Sequence, residues 1–307
     1  MKQFVILPIL LVYVSFLTAQ TVLETKNWCV LDCEISKEDL SNIELIHLKL
    51  KNDSIKIASL SENMLRFPLR IGVVQKDTTK IGIKEIVVRK AIDDLNKSFK
   101  PVGFSFYLES VDIIVSGYSV EELSRNAFNL YDDFSAAYDK ENTISVYILD
   151  HEDDFCVDNE GAISCRKIGG FSYIFSNRAN NIVLSRFDLE DQKIVAHEFG
   201  HFFGLYHTFE ENVFGKDNFD ESQCHLLGDR ICDTPPDPGA AFETHINYSA
   251  CKMVGWKDEN GNEYHPMIEN FMSYYRPCYL KEFKFTEGQI KVMRLAGLSD
   301  IRKRFSR

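Results

Sequence analysis

The chain has 307 residues, 45% of them hydrophobic, which is enough for one large or two modest domains around a sizeable core. Its formal net charge of −11 argues against a nucleic-acid surface, which needs clustered lysine and arginine, and no such cluster occurs before the last few residues. No internal repeat or low-complexity stretch is present.

Residues 1–19 carry one early lysine, an apolar run from Phe4 to Leu17 and small or polar residues at the end, the pattern of a secretory signal peptide cleaved near Ala19 or Gln20. The run is shorter than the roughly twenty residues a bilayer span needs. No later segment is apolar enough to cross, so the expectation is an exported chain without a membrane span. Export places the eight cysteines in an oxidising compartment, where an even count points to disulfides. Residues 20–65 form an N-terminal segment where a propeptide would lie, and they carry Cys29 and Cys33. Within that segment Ile43–Leu50 and Ile55–Ala58 alternate around the polar turn Lys51–Ser54. This predicts a β-hairpin with His47 as an ordinary strand residue.

A main domain then runs over residues 66–307, opening on a strand from Leu65 to Val74. Val87, Val88, Ala91, Ile92, Leu95 and Phe99 recur at helical spacing and predict an amphipathic helix over 83–99. Strand-like segments follow at Phe104–Leu108 and Thr143–Leu149, with an acidic stretch at 120–141 read as surface helix and loop. Gly169–Tyr173 and Asn181–Leu184 then lead the chain toward the next helix. A helix is expected next, capped near Asp188.

That helix carries His197-Glu198-Phe199-Gly200-His201-Phe202-Phe203-Gly204-Leu205-Tyr206-His207, an HExxHxxGxxH string. His197 and His201, four apart, point from one helix face one turn above the other. Gly204 tolerates the left-handed backbone that ends a helix, so the chain can turn and bring His207 back as a third ligand. Three imidazoles leave the fourth tetrahedral position of a zinc ion open, as catalytic sites do. The spacing therefore predicts a Zn2+ site in which a zinc-bound water attacks a carbonyl, with Glu198 as general base. The competing reading is a secreted module that retains zinc for binding, or as a decoy, without catalysis.

Farther along, Asn270-Phe271-Met272-Ser273-Tyr274 resembles the Met-turn of the metzincin proteases, with Met272 as its methionine. Tyr274 resembles the tyrosine that in several metzincin families stands near the metal and stabilises an oxyanion, a packed aromatic being the plain alternative. Thr286 with Gln289 forms a capping-box pattern opening a C-terminal helix, and Arg302-Lys303-Arg304 is read as ending one, offsetting the macrodipole. Of three sequons, at Asn52, Asn96 and Asn247, the second falls inside the amphipathic helix and is a poor acceptor.

Within the metzincins the chain is most similar to the pappalysins. The resemblance is carried by Gly204–Phe209, by Gly228-Asp229-Arg230-Ile231-Cys232-Asp233-Thr234-Pro235-Pro236, by the Met-turn and by Phe285-Thr286-Glu287-Gly288-Gln289. Thr208 and the Gly228–Pro236 segment favour this family over astacin-like or matrixin-like proteases. The resemblance implies an α/β (α+β) metzincin-like domain: a twisted mixed sheet with the active-site helix above and an irregular, disulfide-rich lower subdomain. It also implies hydrolysis of peptide bonds in protein or peptide substrates, and structural Ca2+, for which Asp229, Asp233 and Thr234 are candidate ligands. Cys251 and Cys278 flank the Met-turn and are the expected bridge, as the resemblance also suggests. Pairing of Cys224 with Cys232, and of Cys156 with Cys165, rests on nearness alone. Some relatives are kept latent by a propeptide thiolate on the metal; Cys29 or Cys33 could serve, or could pair with each other. An edge strand before the zinc helix is expected to bind substrate in extended form, with Ser172–Ile174 as the candidate. Residues 275–281 contain no acid, so a preference for a basic residue after the cleaved bond is not expected.

Overall fold

The computed structural model describes residues 37–52, 63–75, 83–116, 134–149, 155–159, 162–166, 169–176, 181–211, 214–239, 244–278 and 281–306. The predicted signal segment, Cys29 and Cys33 lie outside the described residues. Among the described residues, no helix is long and apolar enough to cross a membrane.

The domain is organised by strands β1 (Leu65–Gln75), β2 (Phe104–Val115), β3 (Ile144–Leu149), β6 (Gly170–Ser172) and β7 (Asn181–Ser185). They form one sheet in the order β2-β1-β3-β7-β6. The first four strands in that order pair in parallel, and β6 adds antiparallel to β7 at the edge. Every residue of β3 and β7 is buried, as expected of strands covered on both faces, and this is why they read as continuous apolar runs without alternation. Between β6 and its predecessors, β4 (Phe155–Asn159) and β5 (Ala162–Arg166) form a separate hairpin in which Cys156 and Cys165 are register partners.

Helix α2 (Glu85–Phe99) carries the chain from β1 to β2, burying Val88, Ala91, Ile92, Leu95 and Phe99 on one stripe. Asn96 has no free amide to offer a glycan: its side chain donates to Phe106 O (2.9 Å) and accepts from Phe106 N (2.7 Å). Helix α3 (Gln192–Phe202) packs beside α2 over the sheet. Phe67 and Phe106 of the sheet stack on each other, and with Phe99 of α2 and Phe199 and Phe203 at α3 they meet in edge-to-face and tilted pairs that join the layers. Beyond α3 the chain is mostly irregular, with the short hairpin β8 (Ile246–Asn247) and β9 (Lys252–Met253). Two bridges, Cys224–Cys232 and Cys251–Cys278, staple it. Helix α4 (Glu287–Leu298) begins in the capping box of Thr286 and Gln289, and the short α5 (Asp300–Lys303) follows.

Three local expectations are corrected. Residues Lys37–Asn52 form helix α1, not a hairpin strand. Its buried positions Asp39, Ile43, Ile46 and His47 recur at the helical period, while Leu45 and Leu48 stand in solvent. The five apolar residues of Ile43–Leu50 fall at mixed spacing that satisfies both periods, and packing against the core decides between them. Ile43 and Ile46 join the same core as the sheet, and Ser176 Oγ donates to Asp39 (3.1 Å), so this part of the N-terminal segment is docked on the domain. Next, α3 is capped by Asp191, whose carboxylate accepts from Lys193 N (2.8 Å) and Ile194 N (3.4 Å); Asp188 instead closes a 3-10 turn just before it. Finally, Arg302 is fully buried. Its guanidinium donates to Phe202 O and Ser176 O, both at 3.0 Å, and so meets the last carbonyl of α3 and the carbonyl of Ser176 beyond β6.

Candidate metal centre

Helix α3 buries every residue from Val195 to Phe202. His197 and His201 leave one face of it, and the chain then turns at Gly204, whose φ of 94° is the left-handed conformation that ends the helix. Gly204 N donates to His201 O (2.8 Å) and Leu205 N to Gly200 O (3.0 Å), closing the last turn. The turn returns His207 to the same point. His201 Nε2 lies 3.0 Å from His197 Nε2 and 3.2 Å from His207 Nε2.

The tautomers show what this convergence requires. His197 Nδ1 is 2.8 Å from Phe271 O, and His201 Nδ1 is 2.8 Å from Leu205 O. A carbonyl oxygen can only accept, so both Nδ1 atoms carry the proton and both Nε2 atoms present lone pairs. His207 turns its Nδ1 toward the Glu210 carboxylate, 3.9 Å away. Burial, reinforced by the neighbouring imidazoles, holds His197 and His207 well below the usual histidine range, and burial lowers His201 to about 4. The rings are therefore neutral near pH 7, and facing lone pairs in a buried site repel unless a cation lies between them. Tetrahedral zinc with Zn–N bonds of about 2.0–2.1 Å sets its ligand nitrogens roughly 3.3 Å apart, close to the spacing seen here. The residues fit the ion.

Around the triad, Glu198 is buried beside β6: a Cβ built on Gly170 would stand 3.0 Å from Glu198 Cγ. The half-buried Tyr274 ring packs against His207 and His197, with centroids 4.7 and 5.7 Å apart. Phe209 stacks nearly parallel on His207 at 4.9 Å and touches Tyr274 at 4.6 Å. Met272 lies beneath α3, and its carbonyl accepts from Thr208 N (3.2 Å). Ser172 ends the edge strand β6, at the side of the sheet nearest Glu198.

Two groups of sequence candidates behave differently. Among the described residues, three or more His, Cys, Asp or Glu ligand atoms gather in two places, the triad and Cys224/His225/Cys232, and in the second both cysteines are tied up in a disulfide. Asp229 and Asp233 belong to neither. Asp229 is buried, its carboxyl pushed well above the usual range by burial, and it accepts from Thr234 Oγ1 (2.8 Å) and Ile231 N (3.0 Å). Asp233 accepts from Gly288 N (2.8 Å), fastening the loop to the first turn of α4. Asp229 and Thr234 thus brace their own loop, and Asp233 ties that loop to α4. Asp237 was not legible in the sequence, where Pro236-Asp237-Pro238-Gly239 reads as a turn, yet it is buried between the His207 loop and the Met-turn.

Comparison with known proteins follows the same lines. Residues 129–297 match the family model described as Peptidase M43, pregnancy-associated plasma protein-A. An extracellular metalloprotease of Arthroderma gypseum is 28% identical over 226 residues, covering 69% of this chain and 66% of that one. One of Pyricularia oryzae is 33% identical over 106 residues, 34% of this chain and 29% of that one. Among solved structures, a mutant of promirolysin from Tannerella forsythia superposes with a TM-score of 0.57 at 14% identity, covering 87% of this chain and 90% of the other. At that identity the likeness speaks for the fold, a mixed α/β metzincin architecture.

Proposed function

This chain belongs to the Peptidase M43 family, the pappalysins; on that premise we propose that it is an exported, zinc-dependent endopeptidase that hydrolyses peptide bonds in proteins. The observation that carries the reading is the buried convergence of three imidazoles, with the Nε2 atoms of His197 and His207 at 3.0 and 3.2 Å from that of His201, beside a buried glutamate. His197, His201 and His207 are the ligands. A zinc ion held there supplies Lewis acidity, polarising a carbonyl and bringing the pKa of water down to about 7. Glu198 takes a proton from the attacking water and passes it to the leaving amine nitrogen, so that the carbonyl carbon gains a C–O bond as the C–N bond breaks. Tyr274, packed on His207, donates a hydrogen bond to the oxygen that becomes negative in the transition state. The outer edge of β6, last in the strand order among the described residues, takes the substrate backbone as an added strand. Met272 is the structural floor under the ligands. The relatives' extracellular setting and the apolar segment from Phe4 to Leu17 support export. Residues 20–65 are an N-terminal segment preceding a catalytic domain of 66–307.

The test is Glu198→Ala in purified, mature protein. Cleavage of a denatured protein substrate should disappear while one zinc per chain is retained, and 1,10-phenanthroline should silence the native enzyme until zinc is returned. Cleavage by Glu198→Ala at the native rate would overturn the reading.

A further inference from the structure

The side chains next to the two groups that flank the substrate position share one carboxylate. Thr208, the residue after His207, donates its hydroxyl to Asp237 Oδ2 (2.6 Å). Tyr275, the residue after Tyr274, donates its hydroxyl to Asp237 Oδ1 (2.5 Å). Gly239 N adds a third bond to Oδ1 (2.8 Å). The same short loop supports Phe209, whose ring would lie 3.7 Å from a Cβ on Gly239, and Phe209 in turn stacks on His207. From the other side Lys193, one turn before His197 on α3, donates to the carbonyl oxygen of Tyr275. Thr208, Asp237 and Tyr275 are all buried.

A buried carboxylate is costly to desolvate, and burial does push Asp237 upward from the usual range, with the hydroxyl donors and Lys193 acting against that shift. An apolar side chain would fill the space without this cost but would accept nothing. What the carboxylate adds is two acceptor oxygens at a fixed separation, each holding one of two loops that have no other regular structure. We propose that Asp237 is a positioning residue of the metal centre: through Thr208 and Tyr275 it sets the placement of the His207 and Tyr274 rings relative to each other, and Lys193 ties that pair to the helix bearing the other two ligands. The inference rests on the proposed function for its activity readout, but its metal readout stands alone.

The experiment compares the full-length mature protein with Asp237→Asn, Thr208→Val and Tyr275→Phe, together with Asn96→Ala, a remote, partly buried hydrogen-bond loss between α2 and β2, as a control for mere destabilisation. Zinc affinity is measured by competition with a chromophoric chelator, and ligand geometry by the visible spectrum of the Co2+-loaded protein. Groups that orient metal ligands typically change affinity or activity by about 10- to 100-fold when removed. Asp237→Asn should therefore weaken zinc by at least about tenfold, shift the Co2+ bands and lower kcat more than it raises KM. Thr208→Val and Tyr275→Phe should each give part of this effect, and their combination should add little to Asp237→Asn. Asn96→Ala should lower Tm and leave the Co2+ bands in place. If Asp237→Asn changes Tm alone, with zinc affinity and the Co2+ spectrum native, the inference is overturned. If the native protein binds Co2+ through the triad yet cleaves nothing, the enzyme reading fails while the metal readouts still decide the role of Asp237.

Discussion

A Cβ built on Gly200 would stand 2.5 Å from the sulfur of Met272. No side chain can occupy that gap, so the one glycine inside the span of the two helical ligands is where the Met-turn comes to rest against α3. Methionine adapts to irregular gaps, but it has nowhere to go here: it is fully buried, and its backbone N–H is held by Asn270 Oδ1 (2.8 Å). Gly200→Ala gains helix propensity yet should destabilise the fold by about 1–3 kcal/mol through overpacking. Thermal unfolding checks this, and a variant as stable as the native protein would mean that Met272 can retreat.

Gly170 makes the equivalent gap on the opposite side of the helix. A side chain there would meet Val183 O at 2.8 Å and Glu198 Cγ at 3.0 Å, so β6 and the proposed base cannot both keep their places. We expect Gly170→Ala to lower kcat for peptide cleavage by about tenfold or more, since misplacing a reacting group by an ångström can cost about a hundredfold. Zinc content should be unaffected, because the atoms nearest the added methyl belong to Val183, Leu184 and Glu198 and not to the proposed ligands. Steady-state kinetics beside metal analysis would show whether the loss falls on catalysis alone.

His47 makes the docking of α1 sensitive to acid. Burial, with Arg230 and His225 close by, lowers its pKa from 6.5 to about 3. Between those values the unfolded chain binds the extra proton and the folded one does not, so the stability is complete above about pH 6.5 and is lost as the pH falls toward 3. One such proton contributes a slope of up to about 1.4 kcal/mol per pH unit. In zinc-loaded protein, His47→Gln should flatten the acid limb of the denaturation midpoint relative to the native chain. Parallel limbs in the two proteins would show that His47 is not the responsible group.

The Cys251–Cys278 bridge closes a loop of 27 residues around Tyr264 and Ile268, which pack in the small core of the lower part. Replacing both cysteines by serine should cost about 2–4 kcal/mol, the usual range for such a loop. Because Tyr275 and Met272 lie inside that loop, proteolysis of the variant should begin in this region. Limited proteolysis read by mass spectrometry locates the first cut.

The HExxHxxGxxH string could be read without a structure because each of its instructions is local. Helical period sets His197 above His201, a glycine with positive φ turns the chain, and the capping box at Thr286 is complete within four residues. Strand β3 was legible for a related reason, since burial on both faces leaves the apolar run Val146–Leu149. Helix α1 was not, because its apolar residues satisfy two periods and the choice belongs to the surface that receives Ile43 and Ile46. Arg302 likewise looked like a solvated helix end, and only the approach of α3 shows it buried against Phe202.

The amino-acid order by itself determined the family, and it also singled out the proposed metal ligands and the proposed base, since those follow from residue type and short-range backbone geometry. The fold alone decided what holds them. Gly170 against Glu198, Gly200 against Met272, and Asp237 between Thr208 and Tyr275 join residues 28 to 72 positions apart. Contacts at such separations arise from packing, which short-range spacing does not encode.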